Sequence, residues 1–261
     1  MAVHKAGRKA ARVAAAVATA ALIGVAASAC GPGDDDAKGG ERVSEKPAAS
    51  AGEKSPAAGA PEAKAPAPAS AQLADVPASV KGGVITVGDP KAKHTVKIYE
   101  DPRCPFCKKF EDGGAQALVK PVADGKVKVE YTIASFLDKN LGGGGSVNAA
   151  NALRASVEAG KFPQYHAAVF ANQAEEESDD AYTPAFLLKI ADKVDGLRGD
   201  AFDKAVTNGT YKKWVGEAME SFSADGITGT PTVFVDGKKA DGDALYEQGA
   251  FAKELKAKGI S

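Results

Sequence analysis

The sequence predicts an α/β domain that carries a helical insertion, and three observations support this fold class. Segments with strand character lie near both ends of the region 76–261. Between them, over about residues 147–224, apolar residues recur at helical spacing instead. The first 75 residues have a different composition, so they form a separate leader and linker. Strands, a helical block and strands again are the order expected for one α/β domain with an insertion.

The first predicted strands are short and rich in β-branched residues. Residues 83–87 and 95–99 fit this pattern, and the segment 88–90, which is Gly-Asp-Pro, has turn chemistry. Residues 126–133 alternate apolar and polar positions, which is the period of a half-buried strand. These three segments are therefore predicted to form the N-terminal part of the sheet.

The helical insertion is predicted over about residues 142–225. Its clearest helix has apolar side chains at i, i+3, i+4, i+7, i+8 and i+11, namely Tyr211, Trp214, Val215, Ala218, Met219 and Phe222. This spacing puts Trp214 on a buried face, so it is predicted to be a core residue rather than a ligand platform. His166 lies near the apolar face of another predicted helix, and we predict that it is a buried core histidine.

Strand character returns after the insertion. Residues 232–235 are Thr-Val-Phe-Val, and Asp236 and Gly237 follow as a hairpin turn. Residues 249–258 are predicted to form a short terminal helix. The domain is therefore expected to close with a hairpin and one helix.

Charge and cysteine content exclude several classes of protein. The chain has 33 basic and 34 acidic side chains, and this balance removes the basic surface that nucleic-acid binding requires. Its three cysteines are too few for a disulfide scaffold or a four-cysteine zinc site. We therefore expect no nucleic-acid partner and no bound metal.

Residues 1–29 have the organisation of a secretory signal peptide. Basic residues come first, a small apolar run follows over residues 13–27, and small residues end the segment. Ala27-Ser28-Ala29-Cys30 resembles a bacterial lipobox, in which Cys30 becomes the lipidated first residue of the mature chain. The same small residues also fit ordinary signal cleavage. The sequence thus predicts export, with Cys30 as a lipid anchor to the cell membrane or with secretion as the alternative.

Residues 30–75 are predicted to form a disordered tether. Ala, Gly and Pro make up most of this segment, and Val43 and Leu73 are its only large apolar residues. Such a chain buries too little apolar area to offset its conformational entropy. The folded domain is therefore predicted over residues 76–261.

The chemistry is predicted at Cys104-Pro105-Phe106-Cys107. A predicted strand ends just before Cys104, and Pro105 favours the first turn of a helix. Backbone N–H groups at a helix N-terminus stabilise a thiolate, which makes Cys104 the candidate attacking sulfur. Cys107 lies one turn later, close enough to close a disulfide with it. Zinc sites use the same spacing, but the chain lacks a second cysteine pair. A passive structural disulfide is the remaining alternative.

A second motif gives the family resemblance. Residues 229–237 read Gly-Thr-Pro-Thr-Val-Phe-Val-Asp-Gly, with Pro231 directly before a strand and hairpin. Together with the Cys104–Cys107 motif, this run resembles the DsbA-like branch of the thioredoxin superfamily over essentially all of residues 76–261. The resemblance implies a cis Thr230–Pro231 bond that faces the cysteines. It also implies that Thr230, Pro231, Pro105 and Phe106 contact the substrate.

The sequence departs from this family at two positions. Relatives often have a buried acid six residues before the first cysteine, where this chain has Ile98. Glu100 and Asp101 are nearby, but neither obviously replaces that acid, which puts a carboxylate proton relay to Cys107 in doubt. Phe106 stands where strongly oxidising relatives have His, so the site is expected to be less oxidising. Lys108 and Lys109 are candidates to compensate.

The resemblance implies an exported protein disulfide oxidoreductase. It would exchange a Cys104–Cys107 disulfide with cysteines of secreted or surface proteins, most simply as an oxidase. No cofactor is implied beyond that disulfide, and a membrane or small-molecule redox partner would restore it. A surface reductase or isomerase is one alternative. Another is a binding lipoprotein that keeps the scaffold without turnover.

Overall fold

A single mixed sheet organises the part of the chain that the computed structural model describes, residues 61–261. The predictions for the signal peptide and for Cys30 lie outside the described residues. Within residues 61–261, six strands follow the spatial order β1-β2-β4-β3-β5-β6. The strands are β1 Ala78–Lys81, β2 Val84–Val87, β3 His94–Glu100, β4 Val127–Ile133, β5 Thr232–Val235 and β6 Lys238–Lys239.

The centre of the sheet is β3, which pairs in parallel with β4 and antiparallel with β5. Ile98 lies opposite Tyr131 on one side and Val233 on the other. The hairpin between β5 and β6 turns at Asp236 and Gly237, which have φ values of 50° and 76°. Two consecutive left-handed residues match the twist of a tight hairpin, so the predicted turn is confirmed. The edge strand β1 was not predicted, since only one of its four residues is β-branched.

Helices cover the sheet and fill the segment between β4 and β5. Within residues 61–261 the α-helices are α1 Pro105–Asp112, α2 Val119–Ala123, α3 Leu137–Leu141, α4 Gly145–Glu158, α5 Phe162–Ala171, α6 Pro184–Ala191, α7 Asp200–Asn208, α8 Lys212–Ala224 and α9 Gln248–Ala257. Short 3-10 helices occur at Pro68–Leu73, Gly114–Leu118 and Asp243–Tyr246. In this described part of the chain, no helix combines the length and the apolar character needed to cross a membrane.

The helical segment starts earlier than the predicted 142–225. Helix α3 begins at Leu137, just after β4, and α8 ends at Ala224. The core prediction for Trp214 is confirmed, because the side chain is buried and its Nε1 donates to the Gly82 carbonyl over 2.8 Å. Gly83 allows this close packing, since a Cβ there would lie 2.4 Å from the Glu217 carbonyl oxygen.

The end of the predicted tether is ordered, which corrects its boundary at residue 75. The Asn172 side chain accepts from the Lys64 N–H over 2.6 Å and donates to the Lys64 carbonyl over 2.8 Å. Ala63 is buried, and Leu73 packs against the main core. Composition indicated too little apolar area for this segment, but Ala63 and Leu73 gain burial from the domain surface. The tether prediction for residues 30–60 lies outside the described residues.

Candidate active site

The two cysteines lie where β3 gives way to α1. Cys104 is the N-cap residue with extended backbone, and α1 begins at Pro105 as predicted. The Cys104 carbonyl accepts from the N–H groups of Cys107 and Lys108 over 3.0 and 3.2 Å. Both cysteines are free thiols, with Cys104 6% exposed and Cys107 0% exposed. An incoming sulfur can therefore reach Cys104 far more easily than Cys107.

The two thiols have opposite acidities. A hydrogen bond from Cys107 is the main cause that lowers the pKa of Cys104 to about 6, and the backbone N–H groups of Cys107 and Phe106 add to it. Burial raises the pKa of Cys107 well above its ordinary value, and the nearby Cys104 and Glu100 charges add to this. At neutral pH the pair is thus a Cys104 thiolate that accepts a hydrogen bond from a Cys107 thiol.

The segment before β5 lies against Cys104. The Thr230–Pro231 bond is cis, as the resemblance implied. Cys104 Sγ lies 3.4 Å from the Thr230 carbonyl oxygen, which accepts from the thiol form. The Thr230 side chain lowers the pKa of both cysteines, because its hydroxyl can donate to a thiolate. That hydroxyl has no other hydrogen-bond partner among residues 61–261.

Glu100 is a buried acid near the position of Ile98, although the sequence analysis found no obvious replacement for the family's acid there. Alternate residues of a strand share a face, so Glu100 lies on the same side of β3 as Ile98, one pleat nearer to Cys104. Its side chain is completely buried, and burial raises the pKa of Glu100 to about 8. Its charge contributes to the raised pKa of Cys107. Counting back six residues missed it, whereas the period of the strand would have found it.

Asp101 has a structural position instead. Its Oδ1 accepts from Arg103 N over 3.0 Å and from Ser146 Oγ over 2.7 Å, while Oδ2 accepts from Leu137 N over 3.2 Å. Burial raises the pKa of Asp101 to about 6. The carboxylate thus fastens the loop before Cys104 to α3 and α4.

Arg103 and Gln173 brace the same loop, and the sequence analysis identified neither. The buried Arg103 guanidinium donates to Asp138 over 2.8 Å and to the Gly142 carbonyl over 2.8 Å. Gln173 Nε2 donates to the carbonyls of Pro102 and Cys104 over 2.7 and 3.0 Å. These hydrogen bonds connect two separate parts of the helical insertion to the loop that ends at the Cys104 N-cap.

Phe106 extends into solvent at the entrance to the site. It is 57% exposed, and its ring lies 6.2 Å from that of Tyr246. Lys109 lies over the Tyr246 ring, 4.9 Å from its centroid. Lys108 Nζ donates to Asp112 over 2.8 Å and to the Phe170 carbonyl over 3.2 Å. Both lysines therefore have other contacts, and the pKa of Cys104 depends on the groups described above rather than on them.

His166 is buried as predicted, but its neighbours are carboxyl groups. Nε2 lies 2.5 Å from Glu100 Oε1, and Nδ1 lies 3.8 Å from Glu111 Oε2. One possible ligand atom from each of these three residues lies within 4.8 Å of the others. The imidazole is therefore hydrogen-bonded to Glu100 and lies at ion-pair distance from Glu111. Glu111 was missed, although it follows Cys107 by one helical turn.

A cysteine pair at a strand-to-helix junction, facing the residue before a cis-proline, defines a protein with a thioredoxin-like site and sheet. The family model for thioredoxin matches residues 80–251. The chain belongs to the thioredoxin superfamily, within its DsbA-like thiol–disulfide oxidoreductases.

Solved structures of such proteins resemble the chain. The MdbA thiol-disulfide oxidoreductase from Actinomyces oris is 25% identical, with a TM-score of 0.57 and coverage of 68% of this chain and 90% of that one. MdbA from Corynebacterium matruchotii is 25% identical, with a TM-score of 0.51 and coverage of 66% and 92%. The reduced disulfide bond oxidoreductase DsbG from Mycobacterium tuberculosis is 26% identical, with a TM-score of 0.52 and coverage of 65% and 81%.

A curated relative matches over part of its length. The Na(+)/H(+) antiporter NhaA 3 from Salinispora tropica is 28% identical over 159 residues, which are 59% of this chain. The match spans only 22% of the antiporter. The similarity thus concerns a segment of that larger protein.

Proposed function

We propose that the chain is an exported thiol–disulfide oxidoreductase that oxidises cysteine pairs in secreted or surface proteins. The contrast between the two thiols carries this proposal. A sulfur whose pKa is about 6 is a good leaving group, and a stabilised thiolate favours the reduced form of the site. A site whose reduced form is stabilised withdraws electrons from its client.

The proposed cycle begins with the Cys104–Cys107 disulfide. A client thiolate attacks Cys104 Sγ, a mixed disulfide forms, and the bond to Cys107 breaks. Cys107 leaves with the electron pair and takes a proton. The client's second thiolate then attacks its own sulfur in the mixed disulfide and releases Cys104 as a thiolate. The client loses two electrons and two protons. One proton stays on Cys107, the other passes to solvent, and both cysteines end reduced.

The position of Thr230 supports a binding role for the segment before β5. Because its carbonyl lies 3.4 Å from Cys104 Sγ, a client bonded to Cys104 must pass beside Thr230 and Pro231. An extended client can pair with the Thr230 backbone as an added strand. Pro105 and the exposed Phe106 would line the other side of the entrance.

Export and anchoring are also part of the proposal. The leader chemistry supports secretion, and Cys30 would carry the lipid that holds the domain at the outer face of the cell membrane. A membrane-bound or small-molecule oxidant would restore the disulfide. Mass spectrometry of Cys30 in the mature protein tests the anchor, since an unmodified Cys30 would contradict it.

Cysteine variants of the full chain test the activity. Cys104→Ser should abolish oxidation of a reduced test protein, whereas Cys107→Ser should accumulate mixed disulfides at Cys104. Cys30→Ser is the matched control and should keep the parental rate. A Cys104→Ser variant that oxidises at the parental rate contradicts the mechanism. A reduction potential near about −120 mV supports the oxidase direction, whereas one near about −270 mV supports a reductase.

A further inference from the structure

Three buried titratable side chains, one each from β3, α1 and α5, lie together, and the charge of the β3 member raises the pKa of Cys107. Glu100 is 0% exposed, His166 is 5% exposed and Glu111 is 11% exposed, counting side chains only. The order of increasing exposure is also the order of contact, since His166 lies between the two carboxyl groups. The network is therefore sealed at the Glu100 end and approaches solvent at Glu111.

The protonation of the two carboxyl groups is coupled. One oxygen atom of each lies within 4.8 Å of the other and of a His166 nitrogen, and each group changes the pKa of the other. Burial raises the pKa of each to about 8, so the pair holds protons at neutral pH. Oε2 of Glu100 and Oε1 of Glu111 have no hydrogen-bond partner elsewhere in residues 61–261. Both atoms are free to accept a moving proton.

A cavity adjoins the outer end of this network. Glu111, His166 and Tyr131 line it on one side, and Ser70 and Leu73 of the 3-10 helix Pro68–Leu73 line it on another. Its water-accessible volume is about 50 Å³. A buried water needs roughly 10–15 Å³ by this measure and a few polar partners, so the cavity has room for a small group of waters.

We propose that Glu111 and His166 are positioning residues that act through Glu100, and that they connect the Cys107 proton to this cavity. The inference rests on the proposed thiol–disulfide function and deepens it. Glu100 alone is a sealed carboxyl group that already holds a proton at neutral pH. Before it can accept the proton of Cys107, its own proton must leave, and the contacts through His166 and Glu111 provide the route.

When the Cys104–Cys107 disulfide forms, the protons move in the following order. A proton passes from Glu100 through His166 and Glu111 to water in the cavity. Glu100 then takes the proton of Cys107. The Cys107 thiolate attacks Cys104 Sγ in a mixed disulfide, and the sulfur of the molecule that was bonded to Cys104 leaves as a thiolate. The same steps in reverse deliver a proton to Cys107 when the disulfide opens.

Other charged groups around the network have other partners or stay neutral. Cys104 and Asp101 raise the pKa of Glu100, and Asp112 raises that of Glu111. Burial raises the pKa of Tyr131 well above its ordinary value, so it stays a neutral phenol. Burial lowers the pKa of His166, while the Glu111 charge opposes this. Cys104 and Asp101 also titrate near pH 6, but Asp101 is hydrogen-bonded to Arg103, Ser146 and Leu137, so within the network the two carboxyl groups and the imidazole exchange protons.

The reaction of the reduced protein with the aromatic disulfide DTNB tests this connection. In a Cys30→Ser background, DTNB releases one coloured thiolate when Cys104 attacks and a second when Cys107 resolves the mixed disulfide. Glu111→Gln should leave the first phase at its parental rate and slow the second about tenfold or more at pH 7. This is less than the roughly 10²–10⁴-fold typical of a group that itself transfers the proton, because Glu111 acts through Glu100. The pH profile of the second phase should shift to higher pH in this variant, because Glu111 lowers the pKa of Glu100. His166→Phe should slow the same phase.

Matched variants make the test specific. Asp112→Asn removes the neighbouring exposed carboxylate of α1. It should leave the first phase unchanged and alter the second far less than Glu111→Gln does, because Asp112 is the last-ranked cause of the raised pKa of Glu111. Glu111→Asp keeps the carboxyl group and should restore part of the second-phase rate. It also controls for the possibility that Glu111→Gln is slow only because it folds poorly. A parental second-phase pH profile in both Glu111→Gln and His166→Phe overturns the inference. A parent that shows no second phase would instead contradict the proposed function itself.

Discussion

Cys104 Sγ lies 3.4 Å from the carbonyl oxygen of Thr230, a residue 126 positions later in the chain. The central pairing of β3 with β5 makes this contact possible, because it brings the end of one strand beside the start of the other. Cys104 is thereby enclosed by the N-terminus of α1, the Cys107 thiol and the Thr230 segment. The acidity of Cys104 is a property of all three.

The first prediction concerns that acidity. The rate at which iodoacetamide alkylates Cys104 should rise with pH with a midpoint of about 6. Cys107→Ala should move the midpoint upward, because the Cys107 hydrogen bond is the largest cause of the low pKa. Cys107→Ser keeps a hydroxyl donor and should move it less. Equal midpoints in the parent and in Cys107→Ala would show that the helix N-terminus alone stabilises the thiolate.

The second prediction concerns stability and pH. Some acidic groups have a lower pKa in the folded protein than in the unfolded protein. Such a group begins to stabilise the fold as the pH rises past its pKa in the folded protein, and the gain is complete above its pKa in the unfolded protein. The pKa of Cys104 falls from 9.0 to about 6, so the reduced protein should gain stability relative to the oxidised protein between pH 6 and pH 9. The gain should be on the order of 1–3 kcal/mol. Denaturant unfolding of both forms measures it, and parallel stability curves across this window would contradict it.

The third prediction concerns the redox potential. Phe106 is exposed beside Cys104 and supplies no charged donor. Phe106→His should raise the reduction potential by about 30 mV or more, because an imidazolium stabilises the thiolate and 30 mV equals about 1.4 kcal/mol for two electrons. Phe106→Leu keeps an apolar side chain and is the control. A potential that changes equally in both variants would trace the effect to the lost Tyr246 ring contact.

Local signals predicted the parts of the fold that depend on neighbouring residues. The alternation in β4, the proline at the start of α1, the Asp236–Gly237 turn and the Trp214 face all follow from spacing within one element. The cis bond was implied by the family resemblance instead, and the order of the strands in the sheet was not predicted. Sequence and structure agree where one strand or helix carries the whole pattern.

Contacts between distant residues were not predictable in this way. Lys64 and Asn172 are 108 positions apart, so composition alone indicated disorder at residues 61–75. Glu100 lies in β3, Glu111 in α1 and His166 in α5. Only the packing of the two helices with the sheet brings these three residues together. The period of one element can indicate that a single member such as His166 or Glu100 is buried, but it cannot show that residues of three different elements meet.

The last prediction concerns Arg103, the residue directly before Cys104. Its guanidinium is 2% exposed and pairs over 2.8 Å with Asp138, which is 10% exposed. Asp138 also accepts from the N–H groups of Ser146 and Val147 at the start of α4, over 2.9 Å each. Arg103→Met should lower the free energy of unfolding by about 3–5 kcal/mol, because it leaves a buried carboxylate without its cation.

The matched control for Arg103 is Arg154→Met. Arg154 pairs over 2.7 Å with an exposed Glu158 within one helix, and its guanidinium lies 4.4 Å from the centroid of the Tyr211 ring. Its loss should cost about 1–2 kcal/mol. Denaturant unfolding of both variants gives the comparison. Because Arg103 also binds the carbonyls of Gly142 and Glu177, its loss should loosen the loop that carries the Cys104 N-cap. Equal losses of stability in the two variants would mean that the buried Arg103–Asp138 pair contributes no more than the Arg154–Glu158 pair, whose carboxylate is exposed.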